Sequence, residues 1–380
     1  MKKIKILHII TGLNTGGAEG VLLRNLKLMD SNTFAHYVLC LTNKGPVASE
    51  IEALGIPVHS LGIRRDGLPS PGTLLRLLTH PSYKKADIVQ TWMYHADLVG
   101  GIAAKLKSNA KVVWNIRQST LSNKHSKKLT IFTAWSCALL SKIIPTKIIC
   151  GSYAAKGAHI NMGYVDTKFE IIPNGFDFEH FRPDKTARAR LQEELGLPDD
   201  AIIVGNVARL DPQKDHQTLL SAAKTICQQN EKVHFVLYGD KVNPDHPFFA
   251  EKLSSPSLKG RCHLLGMRSD MTSIYPAFDF LVLCSAYGEG APNVIGEGMA
   301  SGVPCIATDV GDSFRMIGET GKTIPPSNPE ALSSAVLEFC QMPHSERTIL
   351  GEKARQQIIE RFPIDTMVRQ YENLYRQIVR

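Results

Sequence analysis

Two successive series of short β-branched runs, each alternating with longer mixed segments, set the limits on what this chain can fold into. In the first half the runs are IKILHII (4–10), AHYVLCLT (35–42), ADIVQTW (86–92), KVVWNIR (111–117) and KIICGS (147–152). Beyond residue 200 the pattern restarts with AIIVGNVARL, VHFVLYGD, CHLLG, DFLVLCS and VPCIATD. Runs that are apolar on both faces suit parallel strands covered by helices on both sides. Two such series predict an α/β chain of two doubly wound domains. The length of 380 residues agrees, since one hydrophobic core rarely grows past about 250–300 residues.

The expected join is IIPNGFDFEHFRP (171–183), where Pro173, Asn174, Gly175 and Pro183 break regular structure. That gives domains over 1–175 and 176–363. The closing segment 364–380 has helical apolar spacing at Met367, Tyr371, Leu374, Tyr375 and Ile378, and can pack on either domain. In open α/β sheets ligands bind outside the carboxyl ends of the strands, so a cleft between two such domains is the expected site.

Composition removes several classes of protein. With 43% hydrophobic and 21% charged residues the chain reads as folded. Its eight cysteines are scattered, without a C-x-x-C pair, which reads as reduced thiols of a cytoplasmic protein and not a disulfide frame or zinc site. The lysines and short apolar run of residues 1–10 read as a first strand, since no small-residue cleavage site follows. No apolar stretch reaches the roughly 18–20 residues that span a bilayer.

The net charge of +8 is unevenly placed. Residues 1–175 hold 22 Lys and Arg against 9 Asp and Glu, a net +13, and the remainder holds 22 against 27, a net −5. A basic face serves nucleic acid, an anionic acceptor or an anionic membrane, and charge alone does not choose among them. Charges spread singly over a solvated surface give the same count.

The most informative stretch is FLVLCSAYGEGAPNVIGEGMASGVPCIATDVGD (280–312). A buried strand ends at Ser285, a glycine-flanked loop carries Glu289, Pro292 stands where a helix starts, and Glu297 falls inside that helix. The helix start offers backbone N–H groups and a positive dipole end, which suit a diphosphate. Glu289 and Glu297, one in the loop and one in the helix, can accept from hydroxyls at two points of an extended ligand. The plainer reading makes them a loop charge and a surface helix residue. VGNVARLDPQKDH (204–216) adds two cations, Arg209 and Lys214, at a strand end before a helix capped by Asp215. It also fits an ordinary βα turn.

ITGLNTGGAEGVLL (10–23) is a glycine-rich turn that matches neither G-x-G-x-x-G nor a P-loop. Gly16 and Gly17, before a helix expected over 18–29, permit close approach of a ligand, or simply of helix to strand. His95 and Arg117 follow strands in QTWMYHADLVG and WNIRQS, where His95 can bond a sugar hydroxyl or move a proton and Arg117 can neutralise phosphate. In NKHSKKLTIFTAWSCALLSKIIPTKII (123–149), Lys124, Lys127 and Lys128 precede an apolar run. Such a segment can lie on anionic lipid, but a mostly buried helix is the favoured expectation.

The order of TGGAEG, IPNGFDFEHFRP, VARLDPQKD and GEGAPNVIGEGMASGVPCIATDVG resembles the retaining glycosyltransferase family 4, with the GT-B fold of two Rossmann-like domains facing a cleft. The likeness covers nearly the whole chain. It implies transfer, with retention, of a hexose or N-acetylhexosamine from a UDP- or GDP-sugar to a glycan or lipid-linked acceptor of cell-surface polysaccharide synthesis. It implies that Glu297 binds the ribose, Glu289 the donor sugar, and Arg209 with Lys214 the diphosphate, along the donor loop Gly290, Ala291, Pro292, Asn293 and Val294. Gly16 and Gly17 then close over the donor, His95 faces the reacting groups, and 364–380 returns to the acceptor-side first domain. No metal, cofactor or nucleic-acid partner is implied, whereas peripheral contact with the inner face of an anionic membrane fits the basic first half. The alanine usual after the second glutamate is Gly298 here, which is expected to loosen the helix by up to about 1 kcal/mol. A sugar-nucleotide epimerase on the same fold and a non-catalytic nucleotide-sugar-binding protein are the competing readings.

Overall fold

The computed structural model describes residues 2–63, 71–119 and 128–380. The chain divides into two compact units, Met1–Gly175 with Ile364–Arg380, and Phe176–Pro363. Each unit is built on one parallel sheet.

The first unit pairs β1 (Ile4–Ile10), β2 (Phe34–Cys40), β3 (Val58–Ser60), β4 (Ile88–Trp92), β5 (Lys111–Ile116), β6 (Lys147–Cys150) and β7 (Phe169–Ile171) in the order β3-β2-β1-β4-β5-β6-β7. The second pairs β8 (Ile202–Val207), β9 (Val233–Tyr238), β10 (Cys262–Leu264), β11 (Phe280–Leu283), β12 (Cys305–Thr308) and β13 (Lys322–Ile324) in the order β10-β9-β8-β11-β12-β13. Both orders reverse direction once, between β1 and β4 and between β8 and β11, which is the doubly wound Rossmann pattern with one switch point per sheet. At these points Ile6–Ile10 lies in register with Ile88–Trp92, and Phe280 and Leu281 with Val204 and Gly205.

The runs expected to form strands all do so. The three that the sequence pattern passes over, β3, β7 and β13, are three-residue strands at sheet edges. Along β1 the alternation of side chains sends Ile6 and Ile10 into one apolar layer and Leu7 and Ile9 into the other, so the sheet is covered on both faces. The helix expected over 18–29 runs Gly17–Leu28.

Helix Ile364–Val379 belongs to the first unit and buries Met367, Val368, Tyr371, Leu374 and Tyr375 in the layer containing Val21, Leu22 and Phe34. Polar contacts fix its rotation. Tyr371 hydroxyl accepts from Asn115 Nδ2 at 2.8 Å and from the Arg117 guanidinium, and Tyr375 hydroxyl donates to Gln90 Oε1. Arg117 also donates to the Ile172 carbonyl at 3.2 Å and to Asn174 Oδ1 at 3.1 Å. The expectation that Arg117 meets a phosphate is therefore corrected: its Nη1 and Nη2 groups hold β5, the chain after β7 and the closing helix together.

The segment expected as a mostly buried helix forms helix Lys128–Leu140, but the burial is reversed from what bulk alone suggests. Thr133, Ala134, Cys137 and Ala138 face inward, while Leu129, Phe132, Trp135 and Leu139 are exposed. Lys124 and Lys127 lie outside the described residues. Among the described residues no helix is long and apolar enough to cross a membrane, and all eight cysteines are unpaired.

Replacing Tyr371 by Phe removes the acceptor shared by Asn115 and Arg117 and leaves a buried Asn115 donor unmatched. An unmatched buried polar group costs about 1–3 kcal/mol. The Tyr371→Phe variant is expected to lower the urea midpoint of the first unit accordingly, followed by the near-ultraviolet circular dichroism of its buried aromatic side chains.

Candidate functional site

At the switch point of the second sheet, the chain leaves β8 and β11 through neighbouring turns, and these carry the residues singled out in the sequence. After β8, Asp211 Oδ1 accepts from Gln213 N at 2.9 Å and closes a single 3-10 turn, Pro212–Lys214. Asp215 follows in a left-handed conformation (φ +46°) and caps helix His216–Gln229, its Oδ1 accepting from Thr218 N at 3.1 Å. The expected cap is present. A backbone bond from Ala286 N to Gln213 O at 2.8 Å joins this turn to the one after β11.

The two cations differ in kind. Arg209 has a side chain 54% exposed and rests on Asp211 Oδ2 at 3.4 Å and Gln213 Oε1 at 3.2 Å. The Lys214 side chain is 13% exposed and forms an ion pair with Glu289 Oε1, whose side chain is 9% exposed. Ser285 Oγ donates to the same oxygen at 2.5 Å. Ser285 is itself placed by Thr308 Oγ1, which donates to its carbonyl at 2.6 Å from the neighbouring β12. Among the described residues no donor reaches Glu289 Oε2, so one carboxylate oxygen is fixed while the other retains its acceptor capacity.

The glycine-flanked loop is held from below. Gly311 has φ +68°, and a Cβ there would stand 2.3 Å from the Glu289 carbonyl oxygen and 2.4 Å from that of Gly290. Asp312 N donates to Gly290 O at 2.8 Å. Only a glycine lets the chain after β12 come this close under the loop.

Helix Asn293–Ala300 follows. Pro292, expected at the first helical position, is instead the N-cap residue (φ −69°, ψ 119°), and its side chain makes no capping bond. Ala291, Pro292, Asn293 and Val294 thus form the helix entry, the end where backbone N–H groups and the dipole favour anions. Glu297 lies one turn in, half-buried, with Oε2 accepting from the fully buried Tyr275 hydroxyl at 2.8 Å. The Tyr275 phenol is pushed well above its ordinary pKa, first by burial and then by the Glu297 charge, and so remains a donor. The expectation that Gly298 merely loosens the helix is revised, because a Cβ there would meet Leu281 of β11 at 2.7 Å and the glycine lets helix and sheet approach.

The other expected site residues lie in the first unit, also beyond strand ends. Gly16 and Gly17 are exposed at the start of helix Gly17–Leu28, where Glu19 occupies the first turn and its Oε2 stands 2.5 Å from where a Gly16 Cβ would be. His95 is half-buried near the start of helix Met93–Lys107, which Met93 enters with φ +70°. Close by, Thr91 Oγ1 donates to the buried Asp97 Oδ1 at 2.5 Å. Sequence reasoning missed Ser285 and Tyr275 as partners of the two glutamates. Ser285 was visible as the end of a strand four residues before Glu289, but nothing in the local pattern pointed to Tyr275. Among the described residues no group of three His, Cys, Asp or Glu side chains is placed to hold a metal ion.

Comparison with known proteins gives the family and the fold type. Residues 15–180 match the family described as Glycosyltransferase Family 4, and residues 201–342 match that described as Glycosyl transferases group 1. The chain belongs to the group 1, family 4 glycosyltransferases. It is 27% identical to the UDP-Gal:alpha-D-GlcNAc-diphosphoundecaprenol alpha-1,3-galactosyltransferase of Escherichia coli, over 99% of this chain and 98% of that one. It is 26% identical to the lipopolysaccharide core biosynthesis mannosyltransferase LpcC of Rhizobium leguminosarum bv. viciae, over 62% of this chain and 64% of that one. The crystal structure of Anabaena Alr3699/HepE in complex with UDP superposes with a TM-score of 0.84 at 21% identity, covering 98% of this chain and 100% of that one. The fold is of the GT-B type.

The contrast between the two cations is measurable without any ligand. Lys214→Met leaves Glu289 as an uncompensated buried charge, which typically costs about 3–5 kcal/mol. Arg209→Ala removes an exposed cation and is expected to change stability by no more than about 0.5 kcal/mol. Denaturant unfolding of the two variants in parallel checks the difference.

Proposed function

We propose that this glycosyltransferase takes its sugar from a UDP-sugar and transfers it, with retention at the anomeric carbon, to a lipid-linked or glycan acceptor in cell-surface polysaccharide assembly on the cytoplasmic side. The observation that carries the reading is the Glu289 carboxylate, fixed through one oxygen by Lys214 and Ser285 beside an exposed arginine and a helix entry at a sheet switch point. An anion-favouring helix end suits a diphosphate, and an oriented carboxylate suits neutral hydroxyls. A nucleotide sugar carries both. The Escherichia coli relative is named for UDP-Gal and a diphosphoundecaprenol-linked acceptor, and HepE has also been crystallised with UDP-glucose. Both favour a UDP-sugar donor over a GDP-sugar.

In this reading Arg209 and Lys214 bind the diphosphate, together with the backbone N–H groups of Gly290, Ala291, Asn293 and Val294, while Pro292, which has none, shapes the helix entry. Glu289 accepts from hydroxyls of the donor sugar, and Glu297 from those of the ribose. Gly16 and Gly17 contribute close backbone approach, and His95 bonds a hydroxyl of donor or acceptor. As the bond from the anomeric carbon to the diphosphate oxygen breaks, its electron pair passes to the diphosphate. The acceptor oxygen attacks the same face and gives its proton to the departing phosphate oxygen, so no protein nucleophile is needed. Stabilising the charge that develops on the leaving group is the main electrostatic demand. Arg209, which is exposed and hydrogen-bonds Asp211 and Gln213 of its own turn, does not carry the buried ion pair that Lys214 does.

A panel of UDP- and GDP-sugars tested for thermal stabilisation should single out UDP-sugars. A donor at about a hundred times its Kd adds about 2.7 kcal/mol to apparent stability. With the donor so identified, Arg209→Ala and Glu289→Gln are each expected to reduce transfer by about 10²–10³-fold. Folded variants that transfer at the parental rate overturn the assignment.

A further inference from the structure

Helix Lys128–Leu140 is apolar nearly all round, a composition that normally marks a helix enclosed on every side. Here it is enclosed on one side only. The inward face uses small side chains, Thr133, Ala134, Cys137 and Ala138, while Phe132, Trp135 and Leu139 are 67%, 57% and 72% exposed. With Leu129 these fall within an arc of about 120° at about 100° per residue, and Ile143 extends the patch past the helix end. A contiguous exposed patch of this kind marks an interaction surface.

Charge selects the partner. Between Asp97 and Asp166 the chain contains no acidic residue, but it contains Lys105, Lys107, Lys111, Arg117, Lys124, Lys127, Lys128, Lys142, Lys147 and Lys156. Lys128 and Lys142, at the two ends of the apolar patch, are exposed. Large aromatic and aliphatic side chains flanked by lysines match the boundary of an anionic bilayer, where acyl chains take the apolar groups and headgroups the ammonium groups; Asp166, near the Lys142 end, is paired with Lys156.

We propose that the face formed by Leu129, Phe132, Trp135, Leu139 and Ile143, bracketed by Lys128 and Lys142, docks the first unit on an anionic lipid bilayer. This deepens the reading of a lipid-linked acceptor, which it would bring within reach. The docking itself needs no donor, so the two readings fail separately.

Trp135 provides the probe, because the two other tryptophans, Trp92 and Trp114, are fully buried. The full chain is mixed with phosphatidylcholine vesicles with and without phosphatidylglycerol, and tryptophan emission and co-sedimentation are followed. Anionic vesicles are expected to shift the emission to the blue and to carry the protein down, with both effects weakened by high salt. The Phe132→Ser/Leu139→Ser double variant keeps the probe and should fold normally, since both positions are exposed. Its partition is expected to fall at least about tenfold, and that of Lys128→Glu/Lys142→Glu to fall on anionic vesicles. Binding unchanged in the Phe132/Leu139 variant overturns the proposal, as does absence of binding to any vesicle. A dimer of the parental chain that this variant converts to monomer, without vesicle binding by either, assigns the face to a second copy instead. Transfer to a water-soluble acceptor that persists in the variant, alongside lost vesicle binding, separates docking from chemistry.

Discussion

Parallel strand pairing at the two switch points is the constraint on which everything else in this molecule rests. A parallel strand cannot return through a tight turn, so each strand is followed by a crossover, and every turn that leaves a carboxyl end lies on the same edge of its sheet. Where the strand order reverses, two such turns diverge and leave room between them. In the second unit those turns follow β8 and β11, and they bring residues as far apart in the chain as Lys214 and Glu289 into contact. The site is a consequence of topology before it is one of residue choice.

Residue choice then decides how rigid that meeting is. Two opposite charges that are nearly withdrawn from water gain from each other only if geometry and further hydrogen bonds compensate for lost hydration. Ser285 supplies such a bond to Glu289, and Thr308 fixes Ser285 from the adjacent strand. The result is a short chain of contacts running from β12 through the end of β11 to the turn after β8. Tyr275 performs a similar service for Glu297 from outside the loop. Each glutamate is thus positioned by a group that sequence inspection would assign to the core.

What could be read in advance follows the same division. The long strands were legible because β-branched runs buried on both faces leave a dense local signal, as in IKILHII and VHFVLYGD. The three-residue edge strands β3, β7 and β13 were not, although β10 is as short, also at an edge, and was read from CHLLG; a run of that length leaves too little local signal to be found reliably. Glu289, Glu297, Arg209 and Lys214 stood out through their places at strand and helix ends. The pairing of Lys214 with Glu289 did not, because contact across 75 positions depends on strand order, which no local pattern records. Arg117 misled for a related reason: a cation after a strand suits a ligand, and only the packing of Tyr371 beside it reveals a different duty. Bulk misled in helix Lys128–Leu140, where the small residues and not the large ones face inward.

Tyr371 and Tyr375 have a further consequence, in the order of events during synthesis. The first unit's sheet is translated early, but the helix that covers Phe34 and bonds Gln90, Asn115 and Arg117 emerges only after the whole of Phe176–Pro363. At about 5–20 residues per second that interval is on the order of 10–40 s. During it the part of the first unit's apolar layer that this helix covers stays open. The first unit, although encoded first, can therefore complete its core only after the second has been made.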